Sequence, residues 1–85
     1  MRAYEIVLHE RAWESLAGVS SPEKRRVLAV LDRLKADPFR VGDFREPDAT
    51  GRPNEVWLVE DWLVTYWNDR AASEIRVLDL ERVED

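Results

Sequence analysis

Two strand-like runs, residues 55–59 and 62–67, stand only two residues apart, and this spacing constrains the fold more than any other feature of the chain. Both runs are rich in the β-branched and aromatic side chains that favour strands. Closed as a hairpin around Glu60-Asp61, they pair Val59 with Trp62, Leu58 with Leu63 and Trp57 with Val64. Strand alternation then gathers Trp57, Val59, Trp62, Val64 and Tyr66 on one face and Val56, Leu58, Leu63, Thr65 and Trp67 on the other. Both faces are apolar, whereas an antiparallel sheet covered on one side alternates apolar-in with polar-out. Glu-Asp is not the Asn-Gly pair that two-residue turns prefer, so a looser four-residue loop is the alternative closure.

The segments before the hairpin supply what covers one of these faces. Residues 4–9 read as a first strand, with Tyr4, Ile6 and Leu8 on one side. Ala12, Trp13, Leu16 and Ala17 then recur at helical spacing up to Gly18, which predicts a short first helix. A second helix opens on Ser20-Ser21-Pro22-Glu23, an N-cap serine, a first-turn proline and a capping-box glutamate. Val27, Val30, Leu31 and Leu34 form its apolar stripe, with Leu28 widening it, and Asp37-Pro38 ends it. Its basic residues read as a solvated face. Residues 38–54 carry three prolines and two glycines and read as loop, with a short strand near 43–46 and a tight turn at Asp48-Ala49-Thr50-Gly51. A last strand, residues 73–80, leads into an acidic tail.

The predicted architecture is one α+β domain over residues 1–85, two N-terminal helices packed on a twisted, mostly antiparallel sheet in the order β-α-α-β-β-β, with the short strand near 43–46 as a further strand before the last three. Two helices cover one face only. The other is expected to meet a partner, to lie under the 38–54 loop, or to stay exposed. A chain this short buries a smaller share of its surface than a larger domain, so a bound partner would add stability.

Composition narrows the chemistry. With no cysteine there is neither a disulfide nor a thiolate site, and His9 as the lone histidine argues against a histidine metal site or a Ser-His-Asp triad. No metal or other cofactor is expected. The N-terminus has no signal-peptide pattern and no run spans a bilayer, so a cytoplasmic protein without a membrane partner is expected. The net charge of −5 divides unevenly, +2 over residues 1–42 and −7 over 43–85. The acidic half disfavours direct nucleic-acid binding.

The order of these segments resembles the RelE/ParE superfamily, the toxin subunits of type II toxin–antitoxin systems. The resemblance runs from Tyr4-x-Ile6-Val7-Leu8 and the helix bearing Ala12, Trp13 and Leu16, through Leu34-Lys35-Ala36-Asp37-Pro38. It resumes at Asp43-Phe44, Gly51-Arg52, Trp62-x-x-Thr65-Tyr66-Trp67-x-Asp69 and Glu74-x-x-Val77-x-x-Leu80. It implies two helices on a twisted antiparallel sheet, an antitoxin partner, and either ribosome-dependent mRNA cleavage or interference with DNA gyrase. The nuclease branch sets lysines and arginines on the central strands, and here the hairpin from Val56 to Val64 holds none. The strand arginine corresponds to Leu63, only Arg82 matches the basic residue after the last strand, and the tyrosine-bearing C-terminal extension has no counterpart.

The resemblance therefore implies a ParE-like toxin that acts by protein binding, with no catalytic residue expected. An RNA endonuclease and a non-toxic relative serving as an interaction module or homodimer remain as alternatives. The candidate partner-binding residues are Trp57, Trp62, Tyr66 and Trp67, as aromatic anchors, with Arg45, Arg52 and Arg76. The three arginines with Tyr66 suit a phosphate or an acidic antitoxin segment, or else form surface ion pairs with nearby carboxylates.

Overall fold

The computed structural model describes residues 3–83. Seven elements follow one another: β1 (Glu5–Leu8), α1 (Glu10–Ala17), α2 (Ser21–Ala36), β2 (Phe44–Pro47), β3 (Pro53–Val59), β4 (Trp62–Asp69) and β5 (Glu74–Arg82). The strands form one sheet ordered β1-β5-β4-β3-β2, antiparallel except where β1 runs parallel to β5. α1 and α2 carry the chain from β1 at one edge of the sheet to β2 at the other, and the β2–β5 meander returns to lay β5 parallel to β1. This is the expected two-helix, mostly antiparallel α+β architecture. The last two residues of the acidic tail, Glu84 and Asp85, lie outside the described residues.

The hairpin closes in the tighter of its two possible ways. Val59 pairs with Trp62, Leu58 with Leu63 and Trp57 with Val64. Glu60 and Asp61 both take positive φ, 52° and 67°, the pattern of a type I′ turn. Aspartate tolerates that region but glutamate does not, so packing of the flanking strands overrides the local preference at Glu60. Changing Glu60-Asp61 to Asn-Gly is expected to stabilise the protein by about 1–2 kcal/mol, since each left-handed non-glycine residue costs roughly that much. Urea unfolding checks this; an unchanged midpoint would mean that the turn is unstrained.

One continuous core lies between the helices and the sheet. Val27, Val30, Leu31 and Leu34 of α2 and Ala12 and Leu16 of α1 meet Trp57, Val59, Trp62, Val64, Tyr66, Ile75, Val77 and Leu80. A bulge lets β5 contribute this set. Thr65 pairs with Asp79 but Tyr66 pairs with Val77, leaving Leu78 as an extra residue. The extra residue reverses the alternation, so Val77 and Leu80 both face the core and Asp79 faces away.

Ser20 caps α2 by accepting a hydrogen bond from the Glu23 amide at 3.3 Å. The Glu23 carboxylate is directed elsewhere than a capping box: it accepts the indole N–H of Trp62 at 2.7 Å, tying α2 to the start of β4. Two other expectations are corrected. Trp13 and Leu28, read as core-facing, are 58% and 46% exposed. The eight residues of α1 bury only Ala12 and Leu16, one turn apart, and Trp13 points about 100° away from that line. Leu28 sits beside a stripe already filled by Val27, Val30, Leu31 and Leu34.

The 38–54 loop does not fold over the second face of the sheet. Its carbonyls at Pro38 and Arg40 accept bonds from Asn68 Nδ2 and Tyr66 Oη, side chains that point to the helical side. The segment from Phe44 onward continues as β2, extending the sheet instead of capping it. On the second face Val56 and Asn54 are buried (2% and 5% exposed), while Phe44 and Leu58 stay about half exposed (51% and 52%).

Candidate functional site

The sheet ends in an arginine- and aromatic-lined pocket at the junction of the loop after α2, the β2–β3 turn and the distal half of β4. It encloses about 340 Å³, and its chemistry comes from Arg40, Arg45, Arg52, Tyr66, Trp67 and Asn68. The β2–β3 turn is held by Asp48, whose Oδ1 accepts the Thr50 amide, the Thr50 hydroxyl and the Arg52 amide at 2.7–2.9 Å. These bonds, the Thr50 hydroxyl first, hold the Asp48 carboxyl below its ordinary pKa. Gly51 takes φ 86°, which lets the turn close and delivers Arg52 to the pocket.

The three arginines of the pocket differ in how far they are engaged. Arg45 bonds Glu55 at 2.8 Å, and Glu55 also accepts the Gly42 amide at 2.8 Å. Arg40 lies 4.4 Å from the Trp57 ring centroid and 3.7 Å from Asp37. Arg52 stacks 4.0 Å from the centroid of Trp67 and, among the described residues, has no carboxylate within 4 Å of its guanidinium. It is the cation of this pocket best placed to meet an anionic group.

The expected site residues thus separate. Arg45, Arg52, Tyr66 and Trp67 come together in the pocket. Arg76 does not line it; it is held by Asp69 at 3.1 Å and Glu74 at 2.8 Å, with Trp67 5.8 Å away. Trp57, Trp62 and Tyr66, read as interface anchors, are 5%, 2% and 1% exposed and belong to the core under the helices. The correction has a simple physical cause: these rings are the face of the hairpin that two helices are long enough to cover. Trp67 alone of the four aromatic candidates lies on the open side, stacked beneath Arg52. His9 gives its amide to Val77 O at 2.9 Å and precedes α1, with no side-chain cap bond.

Tyr66 joins core to pocket, donating its hydroxyl to the Arg40 carbonyl at 2.7 Å. Burial first, then the nearby Glu55 charge, pushes its pKa up to about 12 from 10. The unfolded chain loses this proton more readily than the folded one. Stability is therefore expected to be fully present below pH 10, to fall as pH rises from 10 towards 12, and to level off above. Denaturant midpoints across this range, compared with Tyr66→Phe, check the sign; an equally steep decline in the variant would assign the effect elsewhere.

Two features escape sequence reasoning. A groove of about 440 Å³ runs between edge strand β1 and α2, with Ile6, Leu8, Trp13, Leu28 and Leu31 as its apolar lining. Arg40 enters the pocket through its position after the Asp37-Pro38 helix stop, and no spacing rule pointed to it. The groove was signalled only by a tryptophan in a helix too short to bury it.

The fold has a counterpart among solved structures. The chain matches the crystal structure of an archaeal RelE–RelB complex from Pyrococcus horikoshii OT3 with a TM-score of 0.69 at 19% identity, over 95% of this chain and 96% of that one. The two share the RelE-like fold, two helices on a mixed five-stranded sheet. No family model matches the sequence, and no curated protein is significantly similar to it.

Proposed function

We propose that this chain is the toxin-like subunit of a type II toxin–antitoxin pair, acting by binding a protein target in the manner of ParE and neutralised by a small antitoxin. The observation that carries this reading is the open face of the central hairpin. Where RelE-type nucleases set basic residues, it presents Leu58 and Leu63 with Phe44 nearby. Leucine cannot stabilise charge on a scissile phosphate or move a proton. Exposed apolar strand positions suit a protein partner instead. The RelE-like fold, seen in a RelE–RelB complex, supports an antitoxin as one partner.

The β1–α2 groove fits the antitoxin's role. An edge strand beside an apolar groove accepts either an added strand or an amphipathic helix. Trp13 and Leu28 are its exposed anchors, and changing both to serine should weaken antitoxin binding while leaving the core intact. A cytoplasmic location accompanies this reading.

The alternative, RNA cleavage, draws on a specific observation: Arg40, Arg45 and Arg52 converge beside Tyr66 and Trp67. Purified protein added to a gyrase supercoiling assay and to a ribosome-dependent mRNA cleavage assay separates the two. The proposal expects inhibited supercoiling and intact mRNA. Cleaved mRNA, with cleavage abolished by Arg52→Ala, would replace it with the nuclease reading.

A further inference from the structure

We propose that a polar cavity on the open face of the sheet is a socket for a lysine or arginine side chain of a partner protein. The cavity holds about 210 Å³, and Asn54, Thr65, Glu46, Asp79, Leu78 and Arg11 line it. Strand register builds it. Glu46 of β2 lies opposite Asn54 of β3, and Thr65 of β4 lies opposite Asp79 of β5, all on the face away from the helices. The β5 bulge is what turns Asp79 to this side.

Asn54 marks the cavity as a binding site. It is 95% buried (5% exposed), and its Oδ1 is enclosed without a hydrogen-bond donor. A buried amide oxygen left unpaired costs free energy, which a donor in the cavity recovers once the Asn54 amide turns its oxygen towards it. The flanking carboxylates select the kind of donor. Among the described residues neither Glu46 nor Asp79 has a cationic partner within 4 Å. An ammonium or guanidinium offers several N–H donors and the charge that two carboxylates favour. Arg11 stands on α1 and is exposed; it lines the cavity yet forms no ion pair within 4 Å with either acid. With Arg11 counted, the lining still carries one net negative charge.

The ground beside the socket argues for a protein partner over a free amine. Two residues along the strands from Val56 and Thr65 lie Leu58 and Leu63, a paired apolar step that with Phe44 forms a strip next to the cavity. Glu81, opposite Leu63, adds a further acid to the rim. A segment carrying one basic residue flanked by apolar ones would fill socket and strip together. The socket stands apart from the reading of the chain as a toxin, since any partner with such a segment would use it.

The test is an amide-resolved NMR titration of the full chain with four probes: N-acetylarginine amide, acetyl-Leu-Arg-Leu amide, acetyl-Leu-Gln-Leu amide and spermidine. The expected result is saturable shifts at the Asn54 side-chain amide, Thr65 and Asp79 with both arginine probes, and tighter binding of the tripeptide. Asp79→Asn, which preserves size, should weaken both by at least roughly tenfold, the scale of one charge-assisted hydrogen bond. Leu58→Ala should weaken only the tripeptide, and Arg11→Gln should strengthen both. No saturable shift at these residues, equal binding of the glutamine peptide, or loss of binding in Arg11→Gln would overturn the socket. Spermidine binding as tightly as the tripeptide would overturn the protein partner.

Discussion

Trp62→Ala should be among the most destabilising single changes in this protein, by about 3–5 kcal/mol, the usual cost of removing a buried large aromatic ring. Its indole is 2% exposed at the first position of β4, in contact with the core that α2 closes. The same ring donates the hydrogen bond at 2.7 Å that takes up the Glu23 carboxylate. Small domains have a total stability of only about 5–15 kcal/mol, so the variant should melt at least roughly 12 °C lower or fail to fold. Trp62→Phe separates the two contributions, since it keeps most of the apolar burial and removes the N–H donor.

The same pair gives a pH signature. The Trp62 hydrogen bond holds the Glu23 pKa below its ordinary 4.5. A depressed carboxyl contributes stability that is present above the unfolded-state pKa and is lost as pH falls through the folded one. Acid unfolding of Trp62→Phe should therefore show a smaller loss of stability below pH 4.5 than the parent. An identical acid limb would mean that the hydrogen bond is not formed in solution.

Gly42→Ala carries the second large effect. A Cβ there would stand 2.6, 2.7 and 2.9 Å from the backbone O, N and C of Val56. Those atoms belong to a strand and cannot swing aside as a side-chain end would. The close approach is itself functional to the fold: Asp43 N donates to Val56 O at 2.8 Å, the Asp43 carboxylate accepts the Leu58 amide at 2.7 Å, and Gly42 N donates to Glu55. Together they seat the loop on β3 where β2 begins. Overpacking at such a point costs about 1–3 kcal/mol and occasionally more, and here the upper end is expected. Two other glycines calibrate it. Gly18→Ala meets nothing closer than 3.8 Å and should be nearly neutral, while Gly51→Ala has open space but φ +86° and should cost about 1 kcal/mol. Chemical denaturation of the three variants checks the ranking, and a neutral Gly42→Ala would mean that the loop is not packed on Val56.

Much of the fold was legible because it is written in short-range pattern. The Ser20 cap, the Val27–Leu34 stripe, the Asp37-Pro38 stop and the two-residue hairpin spacing each act locally, and each appears where expected. What the pattern did not reveal depends on where helices end up in space. Trp57, Trp62 and Tyr66 share a strand face with an interface-like composition, and only the packing of α1 and α2 shows that this face is core. Trp13 and Leu28 illustrate the converse, apolar residues at plausible helical spacing for which the core has no remaining room. The bulge at Leu78 was hidden in the i, i+3 spacing of Val77 and Leu80, which breaks the alternation of a regular strand.

The candidate site was legible only in part for the same reason. Arg45, Arg52, Tyr66 and Trp67 line one pocket although strand alternation sets Tyr66 and Trp67 on opposite faces, and Arg76 is drawn off by Asp69 and Glu74, two carboxylates close to it in sequence. Asn54 gave no signal, because a polar residue before a strand looks like a turn residue until its burial is known.

The central claim, a toxin subunit that acts by binding and is controlled by an antitoxin, is tested most directly by growth of a bacterial culture on induced expression, with and without the adjacent small open reading frame. The account predicts arrest that co-expression of the neighbour reverses, with Trp13→Ser/Leu28→Ser still toxic but less readily rescued. Normal growth in both cultures, with soluble protein present, would contradict it.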